Sequence, residues 1–126
     1  MSFCTIITPS KGRKTLANTI QSFYLQTYND WNACVAFDDV RPTMEPSYKI
    51  EVIRTPTKLG EGVNNAGKVR NFAIEHMQKV GMLGKYIMFC DDDDTLSIDA
   101  VRSMYSECNM ITEVTCLQTV LKTYYN

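Results

Sequence analysis

The chain has 126 residues, of which 13 are lysine or arginine and 14 are aspartate or glutamate, giving a formal net charge of -1. That length suits one domain over 1–126, and the balanced charge argues against duplex nucleic acid as a partner. Neither a signal-peptide pattern nor an apolar run near the ~18 residues of a membrane span is found, so we expect a cytoplasmic protein. The five cysteines lack C-x-x-C spacing, which favours reduced thiols in the core.

The sequence predicts strands and amphipathic helices that alternate along the chain. Continuous apolar or β-branched runs predict strands, and apolar residues at helical spacing predict helices. In chain order we expect strand 3–8, helix 14–27 with Thr15 as its cap, strand 31–37, strand 48–54, helix 68–80, strand 86–90 and a helix beginning near Ser97 or Asp99. Residues 111–125 are expected to form a last strand or strand pair. This order predicts an α/β fold with a mainly parallel, Rossmann-like central sheet and helices on both faces.

Polar residues follow three of the predicted strands at the point where each strand ends. Pro9 and Ser10 follow the first strand, Asp38 and Asp39 the second, and Asp91–Asp94 the fourth. Because ligands of parallel α/β sheets bind beyond the carboxyl ends of the strands, we expect these residues to converge at one edge. Asp38 and Asp39 are interpreted either as residues that satisfy loop amides or as hydrogen-bond acceptors for a ligand's base or sugar.

The four consecutive aspartates Asp91–Asp94 need an electrostatic explanation. Adjacent carboxylates repel each other by about 1 kcal/mol per close pair in water, and by about 4 kcal/mol where the effective dielectric constant is about 20. Full exposure on a loop offsets that repulsion, and so does a hard cation such as Mg²⁺ or Mn²⁺, which prefers carboxylate oxygens. Both explanations stay open, but a position directly after a buried strand favours the cation.

Arg70 is predicted to lie on the first turn of the second helix, where the helix dipole favours anions. It is interpreted either as a clamp for a phosphate or a uracil edge, or as an ion-pair partner of the acidic strand ends. The segment 62–68 has the spacing of a P-loop, and a P-loop-like NTPase predicts that Lys68→Ala abolishes nucleotide binding while Asp39→Ala does not. Val69, however, stands where a P-loop needs Ser or Thr to reach Mg²⁺. The single histidine excludes a zinc site built on several imidazoles.

Five segments, in their order and spacing, resemble the nucleotide-binding half of family 2 glycosyltransferases with the GT-A fold. The matching segments are the opening strand and turn at 5–13, the first helix and the residues up to Trp31, the acidic strand end at 35–39, the start of the second helix at 67–74 and the acidic strand end at 84–94. Together they span nearly the whole chain. The resemblance implies a fold of the GT-A, nucleotide-diphospho-sugar transferase type and a single nucleotide-sugar-binding domain over 1–126.

The resemblance also implies a donor site for a nucleotide-sugar, with a UDP-sugar as the expected donor. The expected nucleotide-sugar-binding residues are Pro9, Ser10, Asp38, Asp39, Arg70, Asp91 and Asp92. Among them, Asp39 would contact the base with Arg70 close by, and Asp92 would meet the ribose. Asp93 and Asp91 would ligate Mn²⁺ or Mg²⁺ on the diphosphate. The implied activity is a metal-dependent, inverting transfer of the sugar to an unidentified acceptor hydroxyl.

The chain also departs from the pattern of the family. The family usually has Tyr and Asn where Lys11 and Gly12 stand, and Gly followed by Ser or Thr where Val40 and Arg41 stand. No family motif for an acceptor site or its general base follows the third helix, so no catalytic residue is assigned. The alternative is a non-catalytic sugar-nucleotide-binding module, or a subunit that a partner chain completes. An incomplete sheet edge near 111–125 would favour a homo-oligomer.

Overall fold

The computed structural model describes residues 2–56 and 65–110. The elements in these residues are β1 (Cys4–Ser10), α1 (Leu16–Tyr24), β2 (Trp31–Phe37), β3 (Ile50–Arg54), α2 (Ala66–Lys79), β4 (Tyr86–Phe89) and α3 (Ala100–Met110). These strands form one parallel sheet in the order β3-β2-β1-β4, which confirms the predicted α/β fold. The strand predicted at 111–125 lies outside the described residues. None of the helices in the described part of the chain has the length and hydropathy that a membrane span needs.

Helices cover both faces of the sheet because successive strand residues point to opposite sides. Ile6, Val35 and Met88 belong to the core beneath α1 and α3. Ile7 and Ala36 belong to a second core beneath α2. Burial on both faces explains why these strands read as continuous apolar runs. The described cysteines are buried with free thiols, as expected: Cys4, Cys34, Cys90 and Cys108.

Tertiary hydrogen bonds determine both ends of α1. The helix is shorter than the predicted 14–27, since the Thr27 backbone N–H donates to the Ile98 carbonyl (2.9 Å) instead of continuing the helix. Thr15 is the N-cap residue of α1, as predicted, but its side chain makes no capping hydrogen bond. Its hydroxyl donates instead to the Asp92 carbonyl at 2.8 Å. The start of α1 is therefore tied to the acidic residues that follow β4.

Three other boundaries bear on the position of the polar residues. α2 begins at Ala66 rather than at residue 68, so Arg70 lies on its second turn and not on its first. β1 continues through Pro9 to Ser10 instead of ending at residue 8, because both residues stay in register with β2. β3 begins at Ile50 rather than at residue 48, since its pairing with β2 starts there. The longer β1 carries the Ser10 hydroxyl to the carboxyl edge of the sheet.

Side-chain hydrogen bonds fix the amino ends of the strands to the turn before β4. Thr5 Oγ1 donates to Asn32 Oδ1 (2.6 Å) and accepts from the Gly84 backbone N–H (2.6 Å). Asn32 Nδ2 donates to the Met82 carbonyl at 2.7 Å. A Cβ atom at Gly84 would lie 2.9 Å from backbone atoms of Cys4 and Thr5. This close approach sets β4 against β1 and so determines where the acidic residues emerge at the opposite end.

Candidate functional site

A cleft of about 340 Å³ opens at the carboxyl edge of the sheet. Its described lining comes from the turn between β1 and α1, the end of β2, the start of α2 and the acidic loop, our name for Asp91–Asp94. The residues that line it are Pro9, Ser10, Lys11, Arg13, Asp38, Asn65, Ala66, Val69, Arg70, Asp91, Asp92 and Asp93. All residues predicted for the site are among them except Asp39. The convergence expected from the order of the strands is therefore observed.

Asp39 lies at the same edge of the sheet but is not among the described residues that line the cleft. Its φ of 53° is positive, a conformation that only a few per cent of non-glycine residues adopt. The Thr55 hydroxyl accepts from its backbone N–H at 2.8 Å, and its carboxylate lies 3.8 Å from the Arg54 guanidinium. A contact between Asp39 and a base stays a prediction.

Asp38 lines the cleft with a buried carboxylate. The residue is 6 % exposed, and its backbone N–H donates to the Ser10 carbonyl at 2.9 Å. Its Oδ1 atom is buried and has no hydrogen-bond partner among the described residues. An unpaired buried carboxylate oxygen is unfavourable, so this atom is an acceptor that a ligand donor would satisfy.

Asp92 is directed away from the other carboxylates of the acidic loop. It is 5 % exposed and accepts a hydrogen bond from the Ser10 hydroxyl (2.8 Å), which itself accepts from the Gly12 N–H (2.9 Å). Its other carboxylate oxygen lies 3.5 Å from Arg13 Nε. The Asp92 side chain therefore ties the acidic loop to the turn that follows β1.

The remaining three aspartates of the acidic loop form a group that suits a hard cation. Asp91, Asp93 and Asp94 each offer one carboxylate oxygen, and these oxygens lie within 4.8 Å of one another. Such an all-oxygen donor set fits Mg²⁺ or Mn²⁺ and does not favour a softer metal. Burial, together with the charges of Asp93 and Asp91, raises the pKa of Asp94. The predicted pair Asp91 and Asp93 is thus extended by Asp94.

Two arginines that line the cleft pair with carboxylates of this group. Arg70 Nη2 lies 2.6 Å from Asp91 Oδ1, and Arg13 Nη1 lies 3.2 Å from Asp93 Oδ2. The ion pair that we considered as one interpretation of Arg70 is therefore present. The Arg70 guanidinium also lies over the Phe89 ring, 5.6 Å from its centroid. These positive charges offset part of the repulsion between the carboxylates.

Four polar side chains on α1 and just beyond its two ends hold the chain from the acidic loop to the start of α3. Their spacing places them on one face of the helix. The bonds are Thr15 Oγ1 to the Asp92 carbonyl (2.8 Å), Thr19 Oγ1 to the Asp94 carbonyl (2.6 Å), the Leu96 N–H to Ser22 Oγ (3.1 Å), Gln26 Nε2 to the Ser97 carbonyl (2.7 Å) and the Val101 N–H to Gln26 Oε1 (3.0 Å). This role was not predicted from the sequence, although the recurrence of polar residues at helical spacing among the apolar ones could have indicated it.

The cleft also contains residues for which no role was predicted from the sequence. Arg13 and Lys11 line it, and Asn65 and Ala66 place the positive end of the α2 dipole beside it. Arg13 follows the turn at the end of the first strand, on the edge predicted to hold the polar residues. That position could have indicated that Arg13 lines the cleft. Lys68, the residue central to the P-loop hypothesis, is exposed and is not among the described lining residues. Residues 57–64 lie outside the described part of the chain.

Cys90 lies directly before the acidic loop and is buried. Its thiol faces the carbonyls of Asp91 (3.6 Å) and Asp94 (3.9 Å). Burial, followed by the charges of Asp94, Asp91 and Asp93, raises the pKa of Cys90 to about 12. The thiol is consequently neutral at pH 7 and adds no negative charge to the loop.

Comparison with known proteins identifies the family. The model of glycosyl transferase family 2 matches residues 5–122, nearly the whole chain. The chain belongs to glycosyl transferase family 2. The resemblance seen in its motifs is thereby confirmed. A search of curated proteins found no match to this glycosyl transferase family 2 chain.

Solved structures with the same fold include those of S. aureus TarS. TarS 1-349 superposes with a TM-score of 0.69 at 17 % identity, covering 87 % of this chain and 33 % of that one. The structures of TarS 1-349 with UDP and with UDP-GlcNAc give TM-scores of 0.67 and 0.66, at 17 % and 16 % identity, each covering 87 % of this chain and 32 % of the other. At this identity the likeness shows the GT-A fold alone. The chain spans about a third of the length of these structures.

Proposed function

We propose that the cleft binds a nucleotide-diphospho-sugar, with a UDP-sugar as donor, and that the chain takes part in transfer of the sugar to an acceptor hydroxyl. One observation carries the proposal. The Asp38 oxygen without a partner among the described residues, two arginines and the carboxylates of Asp91 and Asp93 border one cleft at the carboxyl edge of the sheet. Its volume of about 340 Å³ lies within the range of small-molecule sites.

The nucleoside would bind on the β2 side of the cleft. Asp38 offers a buried acceptor for an N–H or O–H of the base or ribose, and Asp39 extends this acidic edge beside it. Asp92 already accepts from Ser10 and faces Arg13, so its primary contribution would be to position the turn after β1. The predicted contact between Asp92 and the ribose would use only the remaining hydrogen-bonding capacity of its oxygens.

The diphosphate would bind between the acidic loop and the arginines. Asp91, Asp93 and Asp94 would hold Mn²⁺ or Mg²⁺, which supplies Lewis-acid stabilisation of the diphosphate leaving group. Arg70 supplies a positive charge at the wall of the cleft, and Ser10 with Asp92 keeps the β1 turn closed against the loop. Inverting transfer requires an acceptor hydroxyl on the opposite face of the sugar. None of the described residues is assigned as the base for that hydroxyl.

A thermal-shift panel of UDP, GDP and ATP, each with Mn²⁺ or with a chelator, tests donor binding. At about 100 times the dissociation constant, a bound ligand adds about 2.7 kcal/mol of stability. We expect UDP with Mn²⁺ to give the largest shift. Asp93→Asn should lose that shift, whereas Asp30→Asn, at an exposed position before β2, should keep it. Absence of stabilisation by every diphosphate in the presence of metal would contradict the proposal.

Release or transfer of the sugar from a UDP-sugar separates catalysis from binding. If the wild type turns over the UDP-sugar and Asp93→Asn does not, the chain is an enzyme. Binding of the UDP-sugar without turnover would favour the second candidate, a sugar-nucleotide-binding module that works with a partner chain. The lack of an assigned acceptor base among the described residues is the observation that keeps this candidate open.

A further inference from the structure

Arg13 connects the turn after β1 to the acidic loop on the wall of the cleft. Its Nη1 atom lies 3.2 Å from Asp93 Oδ2, and its Nε atom lies 3.5 Å from Asp92 Oδ1. The side chain is 60 % exposed, so these charges rather than packing hold the guanidinium in place. Asp93 is itself half-exposed, and exposed ion pairs of this kind are weak and easily exchanged.

The carboxylate that pairs with Arg13 belongs to the group that fits a divalent cation. Asp93 cannot have both positive charges as close neighbours without repulsion between them. Arg70 pairs similarly with Asp91, but its side chain is only 28 % exposed and lies over the Phe89 ring. Of these two arginines, Arg13 is therefore the one that can change partners more easily.

A diphosphate would offer the Arg13 guanidinium a new partner. The planar fork of arginine fits phosphate oxygens as well as it fits a carboxylate, and both Arg13 and Asp93 line the same cleft. We propose that Arg13 exchanges Asp93 for the diphosphate of the donor when metal and nucleotide bind. The exchange releases Asp93 for the cation, so each ligand strengthens binding of the other. This inference rests on the proposed function of the cleft.

Arg13→Gln should change the affinity for Mn²⁺ and the affinity for UDP in opposite directions. Removal of a competing exposed charge should tighten binding of Mn²⁺ alone by about threefold. Loss of a charge-assisted hydrogen bond to phosphate should weaken binding of UDP in saturating Mn²⁺ by about tenfold. A merely structural role for Arg13 would weaken both. Mn²⁺ and UDP strengthen each other's binding by the same factor, and that factor should be smaller in Arg13→Gln than in the wild type.

The measurement is Mn²⁺ binding by electron paramagnetic resonance, without and with UDP, together with calorimetric titration of UDP. Lys14→Gln is the matched control, since Lys14 is the adjacent exposed cation and is not among the described residues that line the cleft. Its affinities should equal those of the wild type. Arg13→Lys, which keeps the charge but lacks the fork, should bind Mn²⁺ alone like the wild type and UDP more weakly.

The outcomes separate this inference from the proposed function. If the wild type binds UDP with Mn²⁺ but a folded Arg13→Gln changes both affinities in the same direction, or neither, the exchange is wrong and the donor site stands. If Arg13→Gln does not fold, a loss of UDP affinity in Arg13→Lys supports the exchange and an unchanged affinity overturns it. If the wild type binds neither ligand, both proposals fail.

Discussion

The two ends of the parallel sheet are built from the same strands but differ in how their polar groups are satisfied. At the amino end, Thr5, Asn32 and Gly84 form a closed set of short hydrogen bonds between uncharged groups. At the carboxyl end, charged side chains predominate and the buried Asp38 Oδ1 has no partner among the described residues. Natural structures rarely leave a buried polar atom unpaired without a functional reason. The amino-end groups therefore satisfy one another, whereas the described residues at the carboxyl end leave hydrogen-bonding capacity that we propose a ligand uses.

The largest expected effect is at the amino end, in Trp31→Ala. Trp31 opens β2, packs edge-to-face on Phe23 (6.1 Å between centroids) and lies under the Lys49 ammonium (4.1 Å). Truncation of a buried tryptophan should lower the free energy of unfolding by about 3–5 kcal/mol, measured by urea denaturation. UDP affinity of the folded protein should stay near the wild-type value, because Trp31 is distant from the cleft. A large loss of UDP affinity in fully folded Trp31→Ala would contradict the distinction between the two ends of the sheet.

Gly84→Ala should have the next largest effect. The added Cβ would meet backbone atoms of Cys4 and Thr5 at 2.9 Å, and backbone cannot move aside cheaply. We expect the free energy of unfolding to fall by about 1–3 kcal/mol, with nucleotide affinity retained. Gly67→Ala is the control, since a Cβ there meets nothing within 4 Å and the residue lies in α2. That variant should be as stable as the wild type or up to about 1 kcal/mol more stable.

The smallest effect on stability is expected at the carboxyl end, in Asp38→Asn. The change keeps the shape of the side chain and removes a buried charge, so the free energy of unfolding should change by less than about 1 kcal/mol. UDP affinity in Mn²⁺ should nevertheless fall about tenfold, because the amide oxygen accepts a weaker hydrogen bond than a charged carboxylate does. Asp30→Asn is the charge-matched control at the amino end. A stability loss without any loss of affinity would show that Asp38 is a structural residue.

The position of the cleft could be predicted from the sequence because it follows from topology. Carboxyl ends of parallel strands share one edge, so Asp38 and the acidic loop had to lie close together once the strands were assigned. The family pattern pointed to the same residues. The α/β fold was predictable for a similar reason, since doubly buried strands leave a continuous apolar signal.

The directions of individual side chains could not be predicted, because local turn geometry sets them. A turn with the Asp94 N–H bonded to the Asp91 carbonyl (3.1 Å) separates Asp92 from its neighbours and sends it towards Ser10. Four identical residues in a row carry no signal for that difference. The partner of the Thr15 hydroxyl could not be predicted for a related reason, since it lies in a segment far away in sequence. Such long-range bonds are invisible to local propensity.

The most direct test of the account is a calorimetric titration of UDP into the chain, in Mn²⁺ and again in excess chelator. If Asp91, Asp93 and Asp94 hold a cation against a diphosphate, UDP should show saturable one-site binding that weakens at least about tenfold when the metal is removed. Asp93→Asn should reproduce the effect of the chelator. Equal UDP affinity with and without metal, or no binding in either, would contradict the account.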